Sequence, residues 1–233
     1  MQIEQVLSKN DIILSKEAVE KLYGYHKLLC EKNKVMDLTN VPIQDIPLRH
    51  YVDSLLPLVQ YKELFPNAIS LIDVGTGAGL PGIPFAIARE DMKVTLLETQ
   101  RKRCDFLQEV AEKVDLLNVE VIHMRAEDGG KHPQYREMFD VAIARALAPL
   151  NVLAEYLLPF VKVGGVAIAL KGPNVFQECQ EAKNAVALLG GAEPVSYNIA
   201  LEDQQHTLAV IEKKKITPEI YPRRRGIPTK RPL

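Results

Sequence analysis

The chain has 233 residues, 47% of them hydrophobic and 25% charged, with a formal net charge of −1 at pH 7. That length and apolar content suffice to bury a full core in one domain with room for a small extra layer, and they exclude a disordered or fibrous chain. Three isolated cysteines, Cys30, Cys104 and Cys179, form no C-x-x-C pair, which excludes a disulfide scaffold and a structural zinc site and points to a reducing compartment.

The N-terminus, Met1-Gln-Ile-Glu4, carries no apolar signal core, and no stretch approaches the ~18 consecutive apolar residues that span a bilayer. A soluble cytoplasmic protein with no membrane partner, acting as a monomer, is the expectation. Charge is unevenly spread: Lys213 to Leu233 holds eight basic residues and one acid, which leaves 21 basic and 29 acidic residues before it. The body is net −8 and the tail net +7, a division into an acidic globule and a basic segment.

Residues 1–66 carry helical spacing, with Val6, Ile12 to Leu14, then Val19, Leu22, Tyr23, His26, Leu29 and Cys30 at three- and four-residue intervals, and Ser15 as predicted N-cap. This reads as a helical layer ahead of the first strand. Asp37-Leu-Thr-Asn40 is a predicted turn, and Pro42 and Pro47 limit any helix between them. His50 and Asp53 follow at i, i+3, placed either for a helix-surface hydrogen bond or as a wall of a substrate cleft.

Residues 67–212 form the predicted core, and its organising stretch is Leu71-Ile-Asp-Val-Gly-Thr-Gly-Ala-Gly-Leu-Pro-Gly-Ile-Pro84. An apolar β-branched run breaks into glycines and resumes as Phe85-Ala-Ile-Ala88, which predicts buried strand, tight loop and helix. Gly75, Gly77 and Gly79 let the backbone take positive φ and pass close to a ligand, and the helix start favours an anionic group. Two cofactors compete for this loop. Gly77-Ala-Gly-Leu-Pro-Gly82 fits the dinucleotide pattern with Glu98 near the ribose-binding spacing. Asp73-Val-Gly-Thr-Gly-Ala-Gly79 fits an S-adenosylmethionine loop, because an acid at the strand end repels a pyrophosphate and suits a ligand bearing an ammonium and a sulfonium.

Strands and helices then alternate. Strands are predicted at Lys93–Glu98, Val119–His123, Phe139–Arg145, Gly165–Lys171, Val195–Ala200 and Thr207–Ile211, and helices at Arg101–Val114, Asn151–Val161 and Val175–Leu189. Arg125-Ala-Glu-Asp128 reads as a polar loop after the third strand. Short apolar strands alternating with helices predict an α/β protein, a seven-stranded, mostly parallel sheet covered on both faces, with ligands outside the carboxyl ends of its strands. The charged residues there, Asp73, Glu98, Glu127, Arg145 and Lys171, should converge on one cleft.

Residues 213–233 form the basic tail. Pro218, Pro222, Pro228 and Pro232 punctuate its cations, so an extended segment is predicted, either an ordinary solvated tail or an arm that puts Arg223, Arg224 and Arg225 on RNA phosphates, with Tyr221 available to stack on a base.

Across nearly its whole length the chain resembles the bacterial 16S ribosomal RNA 7-methylguanosine methyltransferase family, also known as glucose-inhibited division protein B. The resemblance rests on Arg49-His-Tyr-Val-Asp-Ser-Leu55, Asp73 to Pro84, Arg125-Ala-Glu127, Arg145-Ala146, Leu170-Lys-Gly172 and the tail from Tyr221 to Leu233, and one departure is Asp37 where the family has Asn. The resemblance implies a Rossmann-like S-adenosylmethionine-dependent methyltransferase fold with an N-terminal helical layer, and methylation of N7 of one guanine in 16S ribosomal RNA or the small ribosomal subunit. By the same resemblance Gly75 and Leu80 line the methionine side, Gly77 and Gly79 approach as close backbone, Glu98 takes the ribose hydroxyls, Ala126 and Glu127 lie against the adenine, and Arg145 meets the cofactor. Methylated guanine gains positive charge, which a carboxylate would serve better than a lysine, so Lys171 is assigned to a phosphate or the guanine O6, and His50 to the RNA side of the cleft.

What the chain lacks agrees with a ring-nitrogen acceptor. No cysteine stands at a strand end for carbon-5 pyrimidine chemistry, and Ala144-Arg-Ala-Leu-Ala-Pro149 occupies the place of the Asn/Asp-Pro-Pro-aromatic motif of amine methylation. A nicotinamide-dependent dehydrogenase, a small-molecule methyltransferase and a non-catalytic RNA-binding module are the alternatives. Affinity for a dinucleotide would mark the first, the basic tail argues against the second, and the intact glycine loop against the third.

Overall fold

The computed structural model describes residues 3–145, 148–201 and 204–233. Helices α1 (Ile3–Lys9) and α2 (Lys16–Met36) open the chain, and the Ser15 hydroxyl caps α2 by accepting from the Ala18 amide at 3.1 Å. The buried stripe of α2 runs through Leu22, Tyr25 and Leu29, the i, i+3, i+7 spacing of one helix face. Tyr25, not the predicted Tyr23, belongs to it; Tyr23 lies at the edge, where its hydroxyl accepts from the Ile3 amide. Asp37 ends α2 in the left-handed conformation, at φ 52°. Asp and Asn both tolerate that geometry, so the departure from the family residue keeps the turn. A wide π-type turn, Pro47–Val52, then runs into α3 (Asp53–Gln60).

The sheet contains β1 (Ser70–Val74), β2 (Lys93–Glu98), β3 (Val119–His123), β4 (Phe139–Arg145), β5 (Val161–Lys171), β6 (Val195–Leu201) and β7 (Gln204–Glu212). Its order is β3-β2-β1-β4-β5-β7-β6 over seven strands; β1 to β5 are parallel, and β7 runs antiparallel to both β5 and β6. Helices α4 (Gly82–Ala88), α5 (Arg101–Lys113), α6 (Ala126–Gly129), α7 (Leu150–Leu157) and α8 (Val175–Leu188) follow their strands, and α9 (Ile227–Lys230) lies in the tail. The expected polar loop at Arg125–Asp128 is thus largely one helical turn, α6.

Period-two alternation divides the core. Leu71, Val94, Leu96, Val141, Ile143 and Ile168 pack toward α2, α4 and α5, whereas Ile72, Val74, Ala142, Ala144, Ala167 and Ala169 pack toward α7 and α8. The alanines on the second face leave room for the larger Leu153, Leu157 and Val186 of the covering helices. The N-terminal layer shares the first core and touches the glycine loop directly, where the buried Tyr25 hydroxyl donates to the Ala78 carbonyl at 2.8 Å.

Candidate active site

The order of the strands reverses at β1, with β2 and β3 to one side and β4 and β5 to the other. Two cavities flank that switch point at the carboxyl edge of the sheet, where open α/β sheets bind ligands.

The first, of about 310 Å³, is lined by Gly75, Glu98, Thr99, Gln100, Arg103, Arg125, Ala126, Glu127 and Tyr156 together with Val74 and Leu97. It gathers four of the predicted cofactor residues: Gly75, Glu98, Ala126 and Glu127. Gly75 and Gly77 take φ of 72° and 60°, and a Cβ built on Gly77 meets nothing within 4 Å. The bare backbone therefore faces open space. Gly79 serves packing instead, since a Cβ there would stand 2.5 Å from the Ile83 Cγ1 and 2.9 Å from the Leu107 Cδ2. The Leu80 side chain is buried in the core, which leaves its backbone for any ligand. Glu98 Oε1 accepts from the Thr99 amide at 2.6 Å and the Gln100 amide at 2.8 Å, while among the described residues Oε2 accepts only from the Gly77 amide at 3.0 Å. Oε2 so retains a lone pair for a hydroxyl at the cavity's lip.

Asp73 is fully buried beneath the loop. Its Oδ2 accepts from the Thr76 hydroxyl at 2.7 Å and the Gly82 amide at 2.9 Å, so the start of α4, expected to attract a ligand's anion, is satisfied from within the chain. Its Oδ1 has no hydrogen-bond partner among the described residues. Burial pushes the carboxyl up to about 6, against the opposing pull of Thr76, Gly82 and Arg145. A buried acid with an orphaned oxygen, under a glycine loop with open space, suits a cationic ligand. These residues fit S-adenosylmethionine, whose sulfonium and ammonium complement Asp73, and a pyrophosphate would oppose the same charge.

The second cavity is larger, about 790 Å³, and is lined by Arg49, His50, Asp53, Arg145, Leu170, Lys171, Gly172, Pro173, Glu178 and His206. Its centre is an ionic cluster. Asp53 accepts from Arg145 Nη1 at 2.9 Å and lies 2.7 Å from His206 Nδ1. Burial alone would raise the Asp53 carboxyl, but His206 and Arg145 outweigh it and hold it below its usual range; reciprocally, Asp53 raises His206. His50 and Asp53 thus meet through Arg145, whose Nη2 lies 3.4 Å from His50 Nδ1. Burial and the Arg145 charge push His50 down to about 4, and its Nε2 is 2.7 Å from the Thr39 hydroxyl, so it is neutral at pH 7. Lys171 reaches the cavity with its ammonium on the Ala148 carbonyl at 2.5 Å and Glu178 at 2.6 Å. The predicted single cleft is in this way two adjoining ones, with Arg145 and Lys171 on the second. Ala146, part of the resemblance, lies outside the described residues.

The tail departs from expectation. It docks on the body through buried Tyr221, Pro222 and Pro228 and includes the short helix α9. Arg223, expected on phosphate, closes on Glu155 with its amide at 2.7 Å, Nε at 2.9 Å and Nη2 at 2.6 Å. A carboxylate that is 1% exposed outcompetes a solvated partner for that guanidinium. Lys213 is likewise buried, on the Leu158 carbonyl, Thr217 and Glu137. Arg224 and Arg225 remain exposed.

Tyr156, Glu178 and His206 were missed from the sequence, and His206 for a reason that topology supplies. Strand β7 runs backwards relative to β5, so its N-terminal end, not its carboxyl end, arrives at the ligand edge. A search of strand carboxyl ends passes over it.

This sheet order, with an acid-and-glycine loop at the switch point, defines an S-adenosylmethionine-dependent methyltransferase. Solved structures with the same fold include a geranyl diphosphate C-methyltransferase from Streptomyces coelicolor A3(2), TM-score 0.53 at 15% identity over 70% of this chain and 79% of that one. A predicted O-methyltransferase from Agrobacterium tumefaciens matches with TM-score 0.53 at 18% identity, over 70% of this chain and 81% of that one. The family model for rRNA small subunit methyltransferase G (GidB) matches residues 18–208. Ribosomal RNA small subunit methyltransferase G of Leuconostoc citreum is 43% identical over 238 residues, covering 100% of both chains, and that of Clostridium beijerinckii is 47% identical over 223 residues, covering 94% of this chain and 92% of the other. The chain belongs to the rRNA small subunit methyltransferase G family, an enzyme family that modifies small-subunit ribosomal RNA, and its methyl donor is S-adenosylmethionine.

Proposed function

We propose that the chain methylates N7 of one guanine in 16S ribosomal RNA, with the larger cavity receiving the base and its flanking phosphates. The observation that carries this reading is a cleft rich in cations whose acids and imidazoles are already engaged by protein partners, His206 by Asp53 included. Asp53 and Glu178 are each held by cations, and His50 is neutral, with Nδ1 donating to the Arg49 carbonyl at 3.0 Å and Nε2 at the Thr39 hydroxyl. Burial raises all three cysteine thiols, and none lines either cavity. Among the described residues a covalent sulfur intermediate finds no cysteine at either cavity, and removal of a proton would have to draw on His206, which Asp53 already holds. Guanine N7 carries its own lone pair at neutral pH, so the chain's task is alignment and exclusion of water.

In this reading Gly75, Gly77, Glu98, Ala126 and Glu127 hold S-adenosylmethionine, which supplies the methyl group, Asp73 balances its positive charge through the loop, and Gly79 and Leu80 shape the backbone around it. Arg145, on the wall of the larger cavity, steadies the acceptor. His50 and Lys171 border the RNA, and Arg224 and Arg225 take phosphates outside the cleft, while Arg223 anchors the segment that presents them. The chain divides functionally into the layer 1–66, the core 67–212 and the tail 213–233, and it works as a monomer in the cytoplasm.

The test is transfer of labelled methyl from S-adenosylmethionine to naked 16S RNA and to small subunits from cells lacking this protein, with 7-methylguanine mapped by base-labile backbone cleavage. Label at a single guanine is expected. Label retained after alkali at an exocyclic amine or a pyrimidine carbon would overturn the N7 assignment, and sedimentation of the free enzyme as a dimer would overturn the monomer.

A further inference from the structure

The wall of the cofactor cavity is completed from the far end of the chain. The Gly226 amide donates to Glu127 Oε1 at 3.0 Å, aimed there by a φ of 73° that glycine adopts without strain. The Thr229 and Tyr156 hydroxyls lie 3.1 Å apart. Glu127 and Tyr156 both line the cavity, and Glu155, which grips Arg223, precedes Tyr156 on α7. Three contacts thus fix one segment to the side of the cavity that the family resemblance assigns to adenine. Between and beyond them Arg224, Arg225, Lys230 and Arg231 are exposed to solvent.

We propose that residues 223–230 are a positioning element of the cofactor site and that they couple the two ligands. Phosphates bound by Arg224 and Arg225 steady the segment, the segment holds Glu127 and Tyr156 in place, and RNA and cofactor therefore bind with positive cooperativity. The physical basis is a shared set of contacts, Gly226 on Glu127 and Thr229 on Tyr156, which a ligand on either side of the segment tightens on behalf of the other. The RNA half rests on the function proposed above; the cofactor half does not. By reciprocity RNA and cofactor each raise the other's affinity by the same factor. One hydrogen bond at the rim sets its scale at about threefold to tenfold.

The test is calorimetric binding of S-adenosylhomocysteine to the full chain, alone and with unmethylated small subunits. Wild type should bind it about fivefold tighter when the subunit is present, on the scale of such couplings. Thr229→Val should weaken binding of S-adenosylhomocysteine alone by about threefold, the effect of one exposed hydrogen bond, and raise KM for the donor while kcat at saturating donor is kept. Tyr156→Phe should show the same loss, and the double variant no more than either single one, as for two ends of one contact. Thr229→Ser should restore binding. Arg224→Ala with Arg225→Ala should lose the gain that the subunit gives. Binding by Thr229→Val equal to wild type would overturn the positioning role, and wild-type affinity indifferent to the subunit would overturn the coupling. A wild-type chain that binds S-adenosylhomocysteine but methylates no RNA would instead refute the function proposed above, with the Thr229→Val comparison still deciding the segment's part.

Discussion

Removing the Arg223 side chain tests how firmly the tail is built into the fold. Glu155 is 1% exposed and accepts from Arg223 through Nε at 2.9 Å and 3.0 Å, Nη2 at 2.6 Å and the amide at 2.7 Å. In Arg223→Ala only the amide remains, and a carboxylate out of water faces no countercharge. Breaking one side of such a pair costs about 3–5 kcal/mol. For a chain of this size each kcal/mol moves the melting temperature by roughly 2–4 °C, so the lower figure already predicts a fall of about 6–12 °C. Replacing both partners, Glu155→Leu with Arg223→Leu, should recover most of the loss, because the uncompensated charge then disappears. Differential scanning calorimetry at pH 7, with trypsin cleavage after Arg224 and Arg225 as a local probe, reads both effects. A fall below about 2 °C in Arg223→Ala, by the same conversion, would refute the claim that this pair holds the tail.

Other substitutions separate binding from folding. Gly77→Asp puts its side chain into the open space of the loop at a strained positive φ, so it should lose about 1–2 kcal/mol of stability and all measurable binding of S-adenosylhomocysteine; calorimetry showing normal binding would contradict the site. Gly79→Ala should melt several degrees lower, because its Cβ drives into Ile83 and Leu107 at a φ of 99°. Asp73, raised to about 6, should lose its charge as pH falls through that value, and donor affinity should fall with it; titration between pH 5 and 7.5 tests this, and Asp73→Asn should flatten the profile. In the free protein the sign is opposite: a raised acid contributes stability below its ordinary 3.8 that is lost as pH rises through about 6. His206, raised by Asp53, adds a positive charge to the cleft that is lost as pH climbs through a value above 6.5, so RNA affinity should weaken there and His206→Gln should remove that step.

The parallel part of the fold was legible because its central strands are largely apolar on both faces and each strand carries a polar residue at or next to its carboxyl end. The predicted limits Lys93–Glu98, Val119–His123 and Phe139–Arg145 match β2, β3 and β4. The glycine loop was legible for a related reason: alternating glycines after a buried strand have few other uses. What stayed hidden depends on direction and on partners far along the chain. Tyr25 and Tyr23 are equally apolar in a helix pattern, and only the packing against the loop chooses between them. His206 was concealed by the reversal of β7. The tail's basic residues read alike in sequence, yet Lys213 and Arg223 are claimed by Glu137 and Glu155, acids whose proximity no spacing rule supplies.

The contact between Tyr25 and the Ala78 carbonyl joins the first helices to the cofactor loop, and its chemistry makes it constant. Burial drives the phenol's ionisation far above its ordinary range, with Arg145 only partly opposing, so the hydroxyl keeps its proton across every pH at which the chain folds. The shape of the loop is therefore fixed by a donor that never titrates, while the acid beneath it titrates near neutrality. Acidification should change how strongly the donor is held without changing where it sits. An enzyme built this way dims its affinity and keeps its aim.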